Sequence, residues 1–317
     1  MRSASMTTAD LVSGMFDLFA ISQDRIKELT KYTPISMLVD VEARVIRNTR
    51  LSSDYNVIAL AAPDIAAAIQ PGQFVMVKSG RGPLLRRPFS VFEVVRSNGR
   101  IEGLTLLSKR IGVTTTMLFD AVEGDTFSCL GPLGRPFETV DPPAEAWMVA
   151  GGVGLAPFAT LGDALLARGT KTTLFYGARS GAELFYLDWF TSRGIRLVLA
   201  TEDGSIGEHA RITVPFEREL RDIESRIPNP ESRRDVMIYA CGPEAMLEAV
   251  THVAAKYRRL SQVSVERVMG CGMGGCYSCV IPVRDLGTGS ERTRPAQHYV
   301  RSCIAGPVFR GEDVVWD

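Results

Sequence analysis

The chain has 317 residues, 45% hydrophobic and 23% charged, and its 36 basic residues balance 36 acidic ones. That length exceeds one ordinary core and predicts two or three domains, and the balanced charge offers no chain-wide field for nucleic acid or an anionic membrane surface. No stretch approaches the roughly 20 apolar residues of a membrane span, and the first 36 residues lack the uninterrupted apolar core of a signal peptide, so a cytoplasmic protein without nucleic-acid or membrane partners is expected.

Residues 1–36 read as an extension with one amphipathic helix around Leu18 to Leu29. Residues 37–141 are β-like: runs such as "GQFVMVKS", "FSVFEVV" and "GDTFSCLGPLG" are broken by Gly, Pro, Asn and Asp every ten residues or so, which predicts a small antiparallel barrel. The Pro142-Pro143 pair marks a seam. Over residues 142–261 the rhythm alternates. "AWMVAGG", "TKTTLFYGAR", "IRLVLATEDG" and "DVMIYACG" read as strands, and "APFATLGDALLARG", "ELFYLDWFTSRG", "FERELRDIESR" and "PEAMLEAVTHVAAKY" as helices. Such alternation predicts a doubly wound parallel sheet. Residues 262–317 form a third, small unit that carries most of the cysteines.

Within "MVAGGVGLAPF", Gly151, Gly152 and Gly154 lie between a buried strand and a helix, where the backbone can approach a pyrophosphate and the helix N-terminus offers free N–H groups. Pro157 replaces the third glycine of the dinucleotide fingerprint, and alone the loop is weak evidence, an ordinary tight turn being the alternative. Cys241, Gly242 and Pro243 in "IYACGPEAM" sit at a second strand end on the same ligand-binding edge. Two such edges together predict dinucleotide binding. Arg179 and Ser180 could hold a 2′-phosphate, whereas Glu183 would repel one if it pointed inward; NAD is the expected cofactor.

Four of six cysteines follow residue 270. Cys271, Cys276 and Cys279 have the C-x4-C-x2-C spacing of a plant-type [2Fe–2S] site, with Cys303 the candidate fourth ligand 24 residues later. Gly272, Gly274 and Gly275 would let backbone N–H groups turn toward the sulfurs. A tetrahedral zinc site uses the same thiolates, although zinc ribbons favour two C-x2-C knuckles and here there is one. Cys129 reads as a buried small hydrophobe; Cys241 reads as either a neighbour of the nicotinamide or a structural thiol.

Arg87-Pro88-Phe89-Ser90 in "LLRRPFSV" resembles the flavin motif of the ferredoxin–NADP reductase superfamily, although a surface arginine is the plainer reading of Arg87. Gly112, Thr114 and Thr115 resemble its second phosphate-binding loop, "GPLGRPF" the turn that closes its barrel, and the two glycine-bearing strand ends its nucleotide motifs. The C-terminal text "ERVMGCGMGGCYSCV", followed by Cys303 through Phe309, is similar to the electron-transfer subunits of class B dihydroorotate dehydrogenases, as is "TEDGSIGEHARIT". The resemblance implies an antiparallel FAD-binding β-barrel, a doubly wound parallel NAD-binding domain and a C-terminal [2Fe–2S] domain. It also implies an FMN-containing dihydroorotate dehydrogenase catalytic subunit as partner, in a heterotetramer serving pyrimidine biosynthesis.

A hydride donor gives two electrons and the cluster accepts one, so a flavin must stand between them and no general acid or base is required. His209, His252 and His298 then have no catalytic role. The extension and the long interval between Cys279 and Cys303, read as a polar hairpin tip around Gly287 to Arg294, depart from the pattern. A diaphorase subunit of a hydrogenase or of a ferredoxin-NAD(P) transhydrogenase, and a redox-sensing regulatory binding protein, are the alternatives. The rim at Met273 and Tyr277 is the expected partner face.

Overall fold

The computed structural model describes residues 38–225, 236–284 and 297–316. The predicted helix around Leu18 to Leu29 and the tip at Gly287 to Arg294 lie outside the described residues.

The first sheet comprises β1 (Val39–Arg50), β2 (Tyr55–Ala61), β3 (Phe74–Ser79), β4 (Arg87–Ser90), β5 (Val94–Ser97), β6 (Arg100–Lys109) and β7 (Thr126–Leu133), with α1 (Pro63–Ala68) and α2 (Val113–Asp120) between strands. Its order is β4-β3-β7-β1-β2-β6-β5, every pair antiparallel. The segment after β4 closes it: Val91 N donates to Gln73 O, Phe92 N to Thr105 O, and Thr105 N to Glu93 O. The period-2 alternation explains why β2 is buried on both faces. Ile58 and its register partner Leu106 fill the barrel, whereas Val57 and Leu107 point outward into the core of the second sheet. Burying each such side chain stabilises by roughly 2 kcal/mol, so the two sheets are joined by an apolar weld.

The second sheet contains β8 (Glu145–Gly151), α3 (Ala156–Ala167), β9 (Thr172–Ala178), α4 (Leu187–Ser192), β10 (Arg196–Thr201), β11 (Glu208–His209), α5 (Thr213–Ser225), β12 (Val236–Cys241), α6 (Glu244–Lys256) and β13 (Ser261–Ser264). The chain continues through the hairpin β14 (Val280–Arg284) and β15 (Gln297–Arg301), α7 (Ser302–Ala305) and β16 (Val308–Arg310). The order β11-β10-β9-β8-β12-β13-β16 is parallel except for β16, which pairs antiparallel with β13. Strand β13 therefore straddles the seam drawn at residue 261, and the cysteine-bearing unit supplies the sheet's edge strand. A four-residue and a three-residue strand carry too little periodicity to be read in advance.

One predicted helix is shorter than its sequence suggests. "ELFYLDWFTSRG" is helical only over Leu187–Ser192, because Tyr186 is left-handed at φ 60°. That turn places Phe185 against Tyr55, with ring centroids 4.9 Å apart, and Tyr186 edge-on to Phe92 at 4.7 Å. Aromatic packing onto the barrel outweighs local helix propensity here. Among the described residues no helix is long and apolar enough to cross a membrane.

Candidate functional site

Strand order reverses around β8: β9 and β10 lie to one side, β12 and β13 to the other. In such sheets the ligand crevice opens beyond the C-terminal ends of the strands at the reversal, and here those ends are Gly151 and Cys241, with Ala150 and Cys241 in register. The two predicted glycine motifs meet there. A Cβ on Gly154 would lie 2.1 Å from the Cys241 carbonyl oxygen, and Gly151 packs against Pro243 and Met246. The fit leaves a bare backbone wall beside the start of α3, which suits a pyrophosphate. Burial pushes the Cys241 thiol up to about 12, with a hydrogen bond to Ser264 opposing the shift, so this sulfur stays protonated at neutral pH.

Glu183 does not face the crevice. Its carboxylate accepts from Tyr55 Oη at 2.9 Å and from Lys109 Nζ at 3.0 Å on the barrel, so it cannot act against a 2′-phosphate. Arg179 is exposed beyond β9; Gly181 N donates to Ser205 Oγ, and Ser205 Oγ and N both donate to Asp203, which fixes the "TEDGS" loop beside it.

Strand β4 places Arg87, Pro88, Phe89 and Ser90 opposite Val77, Met76, Val75 and Phe74. Arg86 takes the ion pair with Asp40 and also donates to Ser128 Oγ at 2.7 Å. Arg87 is exposed, its Nη1 donating only to the carbonyls of Leu85 and Arg86 among the described residues. Gly82 rests on Met117 of α2, so the loop before Arg87 and the loop at Gly112 share one face. Thr115 differs from its predicted part: its hydroxyl accepts from Ile111 N and Gly112 N, each at 2.9 Å, and so shapes the loop from within. Thr114 is buried. What this loop offers an anion is therefore the backbone N–H groups at the start of α2, beyond the two that Thr115 takes, rather than the Thr115 hydroxyl.

The cysteine loop lies on the barrel. Gly272, at φ +72°, stands where a Cβ would come 2.6 Å from Met76 Cγ, so only glycine allows this approach. Met273 N and Gly275 N donate to Cys271 Sγ at 3.4 and 3.2 Å. Ser278 Oγ lies 3.1 Å from Cys276 Sγ and accepts from Gly270 N. The four thiols influence one another's protonation mainly in two pairs, Cys271 with Cys276 and Cys279 with Cys303. Bonds from Ser278 and then Cys271 bring Cys276 down to about 6, and Cys303 does the same for Cys279, while its own thiol is raised by sharing that proton and by burial. Among the described residues no three ligand-type side chains converge as they would on one ion. Four thiols on one loop and one short helix, with N–H groups aimed at the Cys271 sulfur, suit a cluster that gains negative charge.

Cys279 and Cys303 are buried among Phe74, Met76, Leu130, Leu133 and Met269, whereas Cys276, Met273 and Tyr277 are exposed. The site thus has an inner wall on β3 and β7 and an outer rim in solvent. Because Met76 also pairs with Pro88, the flavin-like motif is one strand away from the residue on which the cysteine loop rests, about 4.8 Å in the pairing direction. Two supports escaped the sequence reading. Ser278 sits inside the C-x2-C knuckle, where its hydroxyl was a visible signal. Arg301 gives none: its Nη1 donates to Gly274 O at 2.6 Å and its guanidinium covers the Tyr277 ring at 4.7 Å, a contact made across the fold. Cys129 is fully buried in the barrel, as predicted, and all three histidines are exposed.

Comparison with known proteins agrees with this geometry. A family model described as the iron–sulfur cluster binding domain of dihydroorotate dehydrogenase B matches residues 266–315, and one described as an oxidoreductase NAD-binding domain matches residues 148–252. The dihydroorotate dehydrogenase B (NAD(+)) electron transfer subunit of Desulforamulus reducens is 32% identical over 278 residues, covering 87% of this chain and 98% of that protein. The subunit of the same name from Geobacillus kaustophilus is 37% identical over 251 residues, covering 78% and 87%. Among solved structures, an NADH-dependent reduced ferredoxin-NADP oxidoreductase described in connection with flavin-based electron bifurcation superposes with a TM-score of 0.71 at 26% identity, over 87% of this chain and 90% of that one. With both glycine motifs in one crevice, paired thiols on the barrel and this similarity along nearly the whole length of its relatives, the chain belongs to the family of dihydroorotate dehydrogenase B electron transfer subunits.

Proposed function

We propose that this protein passes electrons between NAD(H) and a partner dehydrogenase, through FAD on the barrel and a [2Fe–2S] cluster on the cysteine loop. The observation that carries the reading is the alignment of three motifs: the crevice at Gly154 and Cys241, the strand Arg87–Ser90, and the cysteine loop resting on Met76 beside that strand. Together the bound groups would convert two-electron hydride chemistry into one-electron transfer.

In this reading the protein's own residues bind, orient and exclude water. Gly151, Gly152 and Gly154 would open a backbone wall for the dinucleotide, while Cys241, Gly242 and Pro243 would hold the far side of the crevice. Arg87 would offer its fork to a phosphate of the flavin, Pro88, Phe89 and Ser90 would line its strand, and the backbone N–H groups that follow Gly112, at Thr114 and Thr115, would cap the other phosphate. Cys271, Cys276, Cys279 and Cys303 would together hold the two irons. The supported nicotinamide is NAD, since the relatives are named for NAD(+). Arg87→Ala is expected to weaken FAD retention about tenfold, the size of one charge-assisted hydrogen bond, measured by fluorescence of flavin released on dialysis.

The names of the relatives support a dihydroorotate-oxidising catalytic subunit as partner; in the proposed assembly that subunit contains FMN, docks on the exposed rim at Met273 and Tyr277 and forms a heterotetramer with this chain. The superposition on a reduced ferredoxin-NADP oxidoreductase favours a second reading, a diaphorase subunit exchanging electrons with ferredoxin. Mixing the purified chain with a dihydroorotate-oxidising subunit and following NAD+ reduction separates them. Dihydroorotate-dependent NADH formation is expected; formation only with reduced ferredoxin selects the second reading.

A further inference from the structure

We propose that Glu183 is a positioning residue for hydride transfer, clamping the nucleotide sheet to the two barrel loops assigned to the flavin; the inference rests on the function proposed above. The backbone of Glu183 is tied to the nucleotide side: its carbonyl accepts from the hydroxyl of Tyr176, a fully buried residue of β9, and its N–H donates to Ser180 O. Its side chain is tied to the barrel through Tyr55 of β2 and Lys109 of β6, and the Lys109 ammonium also lies 4.8 Å over the Tyr55 ring. Both members of the ion pair are mostly covered, with side-chain exposures of 30% for Lys109 and 22% for Glu183. Burial raises the Glu183 carboxyl, but the hydrogen bonds from Lys109 and Tyr55 outweigh it and keep the group ionised below its ordinary range.

The position of the clamp matters as much as its strength. Lys109 is the last residue of β6, three before Gly112. Phe92, two residues after Ser90, takes the edge contact of Tyr186, and the next residue, Glu93, accepts from Trp189 Nε1 at 2.8 Å. The segment from Gly181 to Trp189 therefore grips the barrel at the stubs of both flavin loops. Aromatic faces resist separation yet permit sliding, whereas two hydrogen bonds to one carboxylate fix direction. Hydride transfer needs donor and acceptor atoms within roughly 3–3.5 Å, and a misplacement of about 1 Å can cost a hundredfold. The ion pair at the sheet-to-sheet joint is suited to hold that separation.

The test compares wild-type, Glu183→Gln and Lys109→Met holoproteins by stopped-flow bleaching of the flavin with NADH. Each substitution is expected to lower the limiting bleaching rate about tenfold while the apparent NADH dissociation constant stays within about twofold. The double variant should lose little more than either single one, because the two groups act as one unit. FAD content and cluster absorbance should stay unchanged, which excludes general misfolding. An unchanged limiting rate, or a fall matched by loss of FAD or of NADH affinity, overturns the clamp. Wild-type protein that NADH does not bleach overturns the functional reading on which the clamp rests, and is distinguishable because no variant is needed to see it.

Discussion

Cys303→Ala is expected to strip the protein of its cluster, lowering iron and acid-labile sulfide from about two per chain to near zero, while the flavin remains reducible by NADH. Cys303 is brought to Cys279 by α7, whose first residue, Ser302, donates its N–H to the Cys279 carbonyl at 2.9 Å. Alanine fits the same buried space but leaves Cys279 without its partner. The strand proposed to hold the flavin is β4 and the glycine motifs proposed for the nucleotide lie on a different sheet, so neither depends on that thiol. Cys129→Ala, in the barrel core, is the matched control and should keep full cluster absorbance. Iron retained in Cys303→Ala would remove this residue from the ligand set; loss of flavin reduction together with iron would show that the two sites are not separable.

The second large effect is expected at Gly154. A methyl there would meet the Cys241 carbonyl oxygen at 2.1 Å and its carbon at 2.5 Å, and both are backbone atoms that cannot rotate aside. Gly154→Ala must push the start of α3 away from β12, at a cost of roughly 3 kcal/mol. If that strain falls on the crevice, the NADH concentration for half-maximal flavin reduction rises on the order of a hundredfold. FAD and cluster content, held by the barrel and the C-terminal unit, should be kept. Steady-state diaphorase kinetics with an artificial acceptor measure this; an unchanged half-saturation value would move the dinucleotide to another site.

What could be read from the sequence follows from the range of the contacts involved. The glycine loop, the C-x4-C-x2-C run and Arg87–Ser90 are short, and each carries its chemistry within ten residues, so backbone freedom and ligand spacing were legible directly. The pairing of thiols could not be, because Cys303 reaches Cys279 only after β15 and α7 have folded back. Arg301 and Glu183 are silent for the same reason: each is an ordinary charged residue whose partners, Gly274 and Lys109, are distant in sequence. At Thr115 the sequence admits two uses. A hydroxyl beside a phosphate-like loop invites a ligand role, but a Thr three residues after an N-cap is also placed to bond the cap's own N–H, and here it does. Tyr186 shows local propensity giving way to tertiary aromatic packing, and β13 and β16 are strands because neighbours pair with them, not because their few residues demand it.

In the proposed function electrons move from the crevice at Gly154 to the thiols at Cys271 and Cys279. An anaerobic titration of the purified holoprotein with NADH, read at the flavin and cluster bands, tests this most directly. Both bands should bleach, with about 1.5 NADH consumed per wild-type chain and about one per Cys303→Ala chain, since the flavin takes two electrons and the cluster one. Bleaching of the flavin alone in wild-type protein, or a metal analysis that finds zinc without sulfide, would contradict it.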